Sequence, residues 1–507
     1  MHLMGLLLGG LLLLLVLGAL LLSIRAPFIG LAVLVAGMAL HNVALMAMLR
    51  SGTPGPMIVV IQAWKEIDIV VLAGVAAWRW WIGGRPPPRL NPIDWLAIAF
   101  SAILVTYLVL PNSVTASASG LVGRLLAFRV DATLVTLYAL GRLHAPAGLF
   151  QERRAAWIVA ASAAAVGFAG IVELWFLPTG VWIDWGVNLY TAHLGYAYHG
   201  PGGLPENFFL TFPNGLLLRR MVSSYISPLG IAYTALLVLP AATLLAVTSR
   251  GRSARWAWVV AAGVLIGLAF SLTRLALFVA PLEALLVALI LRRRAALTAV
   301  LAVGAAVLVA LLLYPPVGPL IRPPTVKPVR DPAGYAAVAA VARSAGLTLH
   351  LGEDARALSP PNARAGEAVV SFQDASFTEH MHQLLADARV LAGHPWGSGL
   401  GSAVGRFNNG GTLGESALLG IYGEVGVVGG LLFTALYAGV LYAAARRLLT
   451  GTRPSDSIQL ALPLVCLAGG LALLPVVLTS DVWGDLSVTF LFWWAAGRSS
   501  TLLYSWE

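Results

Sequence analysis

Charge is scarce in this 507-residue chain: Asp, Glu, Lys and Arg together supply 11% of it, against about 25% in an average soluble protein. That deficit excludes a soluble enzyme with a solvated surface. Cysteine is scarcer still. The single Cys466 lies in an apolar run, so an internal disulfide is excluded. Zinc-type spacings such as His-Glu-x-x-His or Cys-x-x-Cys are missing, and no metal or other cofactor is expected. No basic stripe with interleaved aromatics occurs in a polar segment, so nucleic acid is not an expected partner despite the net charge of +10. The first apolar run lacks a basic leader and reads as a retained helix rather than a cleaved signal.

What abounds is hydrocarbon. Hydrophobic residues make up 59% of the chain, and apolar runs of roughly 20 residues recur from end to end, the length that crosses a bilayer as a helix. The expected fold is all-α, a polytopic integral membrane protein with about thirteen transmembrane helices. They fall near 3–23, 27–49, 57–78, 91–110, 121–141, 156–176, 226–248, 255–272, 275–291, 295–314, 413–445, 458–478 and 482–498. The run at 413–445 exceeds a single span, and its start is expected to lie at the surface. No inverted repeat of the transporter type is visible.

Arginines orient the chain. Arg79, Arg85 and Arg89 form one cluster, Arg142, Arg153 and Arg154 the next; then come Arg250, Arg252 and Arg255, Arg292 to Arg294, and Arg446, Arg447 and Arg453. They occupy alternate loops, which places those loops in the cytoplasm. The loops between them, 111–120, 177–225, 272–274, 315–412 and 479–482, then face the periplasm. Three regions follow: residues 1–314 with a first periplasmic loop at 177–225, a large periplasmic loop at 315–412, and C-terminal helices at 413–507. The first loop is rich in rings, among them Trp182, Trp185, Tyr190, Tyr196, Tyr198, Phe208 and Phe209, suited to a membrane-interface belt or to stacking on a sugar. The second opens on a Pro-rich stretch, with helices expected near 332–345 and 376–392.

Five arginines break the charge rule. Arg124, Arg129, Arg219, Arg220 and Arg274 fall at or near the periplasmic helix ends, where basic residues are uncommon. A bound anion accounts for them, and a diphosphate suits guanidinium, which pairs bidentately with phosphate oxygens. Arg274 follows Ser271-Leu272-Thr273 at a helix end, with no acid near it in sequence. Arg219 and Arg220 precede another helix. Arg124 and Arg129 lie five residues apart, on different faces of one apolar helix; for Arg129 a salt bridge with Asp131 or Glu173 is the competing reading. Lys65, Glu66 and Asp68 interrupt the third span and read as an ion-pair group.

The densest polar cluster lies at 374–382. Asp374 or Ser376 caps a helix there, and Glu379 and His380 have acid–base chemistry available. His394-Pro395-Trp396-Gly397-Ser398-Gly399-Leu400-Gly401 is a close-packing turn that lacks the Gly-Lys-Ser end of a phosphate loop. Glu415 and Ser416 open the next membrane segment, where helix capping is the plain reading.

Taken together, Ser-Phe-Gln-Asp-Ala-Ser-Phe-Thr-Glu-His from 371, His-Pro-Trp-Gly-Ser-Gly-Leu-Gly from 394 and Gly-Glu-Ser-Ala-Leu-Leu-Gly-Ile-Tyr-Gly-Glu-Val-Gly-Val-Val-Gly-Gly from 414 resemble the motif series of the O-antigen ligase and polymerase superfamily. Ser271-Leu272-Thr273-Arg274 resembles its Ser-x-(Ser/Thr)-Arg element, and the stretches from Arg220 to Ser224 and from Phe128 to Arg142 match weaker patterns. The resemblance implies a GT-C-like glycosyltransferase of the bacterial inner membrane. Undecaprenyl-diphosphate-linked glycans would be donor and acceptor, the lipid bilayer its setting, and a flippase and chain-length regulator its companions. Arg274, Arg220 and Arg129, with Arg219 and Arg124, would hold diphosphate. Glu415 or His380 would be the base, supported by Asp374, Ser376 and Ser416. Where the ligase branch carries a histidine, this chain reads Leu413-Gly414-Glu415-Ser416, which favours a polymerase over a ligase. A transporter of lipid-linked solutes is the reading from another class.

Overall fold

The structure is a computed structural model that describes residues 2–84, 88–115, 119–194, 204–211, 217–321, 375–402, 416–449 and 457–504. It is 85% helical. Among the described residues the only sheet is a hairpin, Phe209–Thr211 antiparallel to Leu217–Arg219, with Phe209 opposite Arg219.

Ten helices are long and apolar enough to cross a membrane. They are α1 (Leu3–Arg25), α2 (Pro27–Ser51), α5 (Pro92–Val109), α7 (Leu149–Phe176), α8 (Pro228–Thr248), α9 (Gly251–Phe270), α10 (Arg274–Leu291), α11 (Arg294–Gly318), α13 (Ala417–Leu449) and α14 (Ser457–Thr479). Helices also form over the other three expected stretches: α3 (Gly55–Gln62) with α4 (Trp64–Trp81), α6 (Leu121–Leu143) and α15 (Leu486–Tyr504). The expected span at 57–78 is thus two helices, broken at Ala63. In the large loop, α12 (Ala375–Gly393) covers the expected helix near 376–392; the one near 332–345 lies outside the described residues.

Where α6 crosses α15 the backbones nearly touch. A Cβ on Gly141 would sit 2.4 Å from the Trp494 carbonyl oxygen, and one on Gly497 2.0 Å from that of Tyr138. Small residues let helices approach like this where lipid supplies no hydrophobic force between them.

The described arginines of the basic clusters lie at or near helix ends, at one end of the bundle on the charge rule. Arg142 there reaches Asp94 at 2.7 Å and the Arg89 carbonyl at 2.9 Å, and Tyr138 donates to Asp94 at 2.7 Å. Asp94 also closes a capping box with Asn91 at the start of α5. Arg498 pairs with Glu152 at 3.1 Å. These arginines bind helix ends together.

At the other end α13 is kinked. Val425 and Gly426 leave helical geometry, Gly426 at φ 72°, a left-handed value that glycine adopts without steric cost. The kink frees carbonyls, and the glycine turn after α12 supplies donors. Ser398 N–H reaches the Gly423 carbonyl at 2.6 Å, Gly399 N–H that of Glu424 at 3.0 Å, and Val427 N–H donates back to Pro395 at 2.9 Å. A Cβ on Gly397 would lie 2.5 Å from Gly426 N. The turns of α13 before the kink are packed against the protein, with Ala417, Gly420, Ile421, Gly423 and Glu424 buried.

Candidate functional site

The chain from the hairpin into α8 builds one wall. Arg220 N–H bonds the Phe208 carbonyl at 2.9 Å, and Met221 N–H bonds that of Phe270 at 2.9 Å, which fixes Arg220 over the end of α9. Its guanidinium then donates to the Ser271 carbonyl at 2.8 Å and to Thr273 Oγ1 at 2.9 Å. Leu272 takes φ 52°, turning the chain tightly so that Arg274 becomes the first residue of α10. The Ser-Leu-Thr-Arg element therefore places its serine and threonine against Arg220 and starts a helix at its arginine. Burial pushes the Arg220 guanidinium down to about 10; the nearby Tyr233 hydroxyl opposes that fall and neighbouring Arg274 adds to it. Arg220 stays charged at neutral pH, so two cations stand side by side at this end.

Acids and hydroxyls form a second wall. Tyr233 Oη lies 3.2 Å from Ser480 Oγ, and Thr234 Oγ1 2.6 Å from Ser487 Oγ. Ala417 N–H donates to the Ser480 carbonyl at 3.1 Å, joining the start of α13 to the loop after α14. In that loop Asp481 and Asp485 are close enough to interact. A Cβ on Gly230 would be 3.0 Å from Asp485 Oδ2, so this carboxyl abuts the first turn of α8. Burial pushes the Asp485 carboxyl up to about 7; a hydrogen bond from Ser487 opposes the rise and the Asp481 charge adds to it. Tyr225 completes the wall, its phenol pushed up to about 12 by burial.

The structure brings Arg220 and Arg274 together and gives the other three arginines different partners. Arg219 pairs with Glu173 at 2.5 Å and also donates to the Glu173 and Leu177 carbonyls. Glu173 in turn accepts Trp182 Nε1 at 3.2 Å and Val222 N–H at 3.2 Å, so that pair is scaffold. Arg124 donates to the Leu110 carbonyl. Arg129 meets Glu66 at 3.3 Å, on α4, and Glu173, one of the partners considered from sequence, is taken by Arg219. Lys65 shares the same Glu66 at 3.3 Å, and Asp68 is apart from them, beside Ser23 of α1.

Ser416 caps α13, its Oγ accepting Leu419 N–H at 3.1 Å. Glu415 and Asp374 lie outside the described residues, and for Ser376 and His380 only the backbone, in α12, is described. Among the described residues no three His, Cys, Asp or Glu side chains gather as metal ligands. Among the described rings of the first loop, Trp182, Tyr190, Phe208 and Phe209 are buried and Trp185 is exposed, and Trp182 meets Trp185 and Phe208 edge-on at 5.6 and 5.7 Å.

Sequence reasoning passed over Asp481, Asp485 and Tyr233. Two acids four residues apart in a short loop between apolar helices were the available signal for the first pair. Tyr233, inside an apolar run, gave none. No protein-family model matches the chain, and no curated protein matches it significantly. The residues themselves carry the functional reading.

Proposed function

We propose that this protein is a membrane glycosyltransferase that polymerises undecaprenyl-diphosphate-linked oligosaccharide repeats at the periplasmic face of the bacterial inner membrane. The observation that carries this reading is the Arg220–Arg274 pair, set at the end of the bundle opposite the basic loops with Tyr233 near Arg220. On the charge rule that end is periplasmic, and all thirteen helical stretches cross the membrane in a GT-C-like arrangement.

The chemistry follows from the two walls. An acceptor hydroxyl attacks the anomeric carbon of the donor sugar, the carbon–oxygen bond to the lipid diphosphate breaks, and the configuration inverts. Arg220 and Arg274 stabilise the negative charge that develops on the departing diphosphate, as preorganised donors do for an oxyanion. A base takes the acceptor proton. Glu415 and His380 come from the family resemblance; Asp485 joins them as a carboxyl against the first turn of α8, raised by burial towards neutrality, where a base is best matched. Fixed arginines supply the positive charge, so the reaction is metal-independent in this reading.

Transfer to a lipid or protein acceptor is the alternative, and product length separates the two. The test uses purified full-length protein in nanodiscs with lipid-linked repeat units as sole substrate. A ladder of longer lipid-linked products, lost in Arg274→Ala, is expected. Intact repeat units after prolonged incubation of the wild type would overturn the reading.

A further inference from the structure

A second polar group lies on the side of the bundle, on α2, α4 and α6. Two cations there share one carboxylate: Lys65 Nζ and Arg129 Nη1 are each 3.3 Å from a Glu66 oxygen. Lys65 is 6% exposed and also donates to the Gln62 carbonyl at 2.6 Å, an acceptor next to the break at Ala63. His41 takes Trp64 Nε1 on Nδ1 at 3.3 Å, and its Nε2 lies 3.5 Å from Lys65. The local sum is one positive charge in excess. Asp68 is turned towards α1, and Asp131 is two residues from Arg129, on the opposite side of its helix.

The excess charge is open to the side. The Arg129 side chain is 52% exposed and that of Glu66 35%. Around them Val122 and Leu125 of α6 and Ile67 and Val70 of α4 are exposed too, so this face is a hydrocarbon surface. Arg129 lies eight residues into α6, about 12 Å from its end at 1.5 Å per residue. An ionised group at such a place is expensive without a counter-charge. A molecule that arrives through an apolar face and supplies negative charge is an amphiphile with a phosphate headgroup and a hydrocarbon tail.

The group adjoins the first site. His41 is followed on α2 by Asn42, whose Nδ2 donates to the Tyr225 carbonyl at 2.8 Å. Tyr225 stands beside Asp485. Two consecutive residues of α2 therefore touch the two polar clusters. Polymerisation needs two lipid-linked chains at once, so a second headgroup needs a place near the first.

We infer that Arg129 and Lys65, backed by His41, form a second subsite that takes the headgroup phosphate of a lipid-linked acceptor entering sideways between α4 and α6. This assignment rests on the polymerase reading above. Its chemistry, a phosphate anion carried on a lipid, is shared with ordinary anionic phospholipid.

Native mass spectrometry of the full-length protein in nanodiscs, titrated with undecaprenyl diphosphate, tests it. The wild type is expected to bind two molecules. Arg129→Gln should bind one, Arg274→Ala one, and the double variant none. Glu66→Gln, which removes the competing carboxylate, should instead tighten the Arg129-dependent event by about tenfold, an effect that a merely damaged fold does not give. Two molecules bound to both Arg129→Gln and Lys65→Gln would overturn the second subsite. Loss of one molecule in Arg129→Gln with both retained in Arg274→Ala would leave the second subsite standing and remove the first. Equal displacement by phosphatidylglycerol would show a general anionic-lipid contact and overturn the acceptor assignment.

Discussion

Arg219 and Arg220 are adjacent in sequence and belong to different networks. Arg219 is committed to Glu173, while Arg220 leans on Ser271 and Thr273 with Arg274 beside it. Their substitutions should separate. Arg219→Ala strands the buried Glu173 carboxylate and is expected to cost about 3 kcal/mol or more of stability, read as a lower midpoint in thermal unfolding of the purified protein. Arg220→Ala should unfold close to wild type yet lose polymer. A shared phenotype in both assays would refute the division.

At Arg274 the shape of the cation matters. Lysine keeps the charge and loses the planar fork that grips two phosphate oxygens. Arg274→Lys should therefore lower turnover by roughly tenfold or more, measured as the initial rate of chain extension. A lysine variant at wild-type rate would reduce the site to a simple positive potential.

Asp485 predicts a pH profile. A base works only when deprotonated, so with its carboxyl raised to about 7 the rate should climb as pH rises through 7 and level off above it. Stability runs the other way. The folded state holds this proton more tightly than the unfolded chain, so the stabilisation is complete below the ordinary carboxylate range and fades as pH rises through about 7. Asp485→Asn should flatten both curves. If the rising limb survives in Asp485→Asn and vanishes in Glu415→Gln or His380→Ala, the base is one of those two instead.

Orientation has its own test. With Cys466 replaced, a cysteine at Ser359 should react with a membrane-impermeant thiol reagent in intact spheroplasts. Labelling confined to lysed cells would reverse the topology and move the Arg220–Arg274 pair to the cytoplasmic side.

The clamp between α12 and α13 is a matter of backbone, so a methyl group should damage it. Gly397→Ala places a Cβ 2.5 Å from Gly426 N at a φ of 84°, and loss of the assembled protein in detergent extracts is expected. Gly393→Ala, where a Cβ meets nothing within 4 Å, serves as the tolerated control.

Much of the helical layout was legible because a bilayer demands long apolar runs, and a run such as Pro228–Thr248 leaves little freedom in where a helix goes. Its partners were not legible. Glu173 was considered for Arg129 and belongs to Arg219, because the hairpin that delivers Arg219 is a tertiary event without a local signal. The break at Ala63 has no Gly or Pro to announce it; the polar contacts of Lys65 and Trp64 with Gln62 and His41 lie beside it. The arginine pair was legible as charge out of place, whereas Asp485 gains its surroundings only when its loop folds against α8. The glycine turn was recognisable as a site of close approach, but the surface it approaches, the kink in α13, was not.

The Glu173–Arg219 pair also bears on turnover. The lipid diphosphate that leaves is a product, and a product held too firmly stalls the next cycle. In the proposed reaction Glu173, by occupying Arg219, would keep a further guanidinium off the leaving group and so help the site to clear.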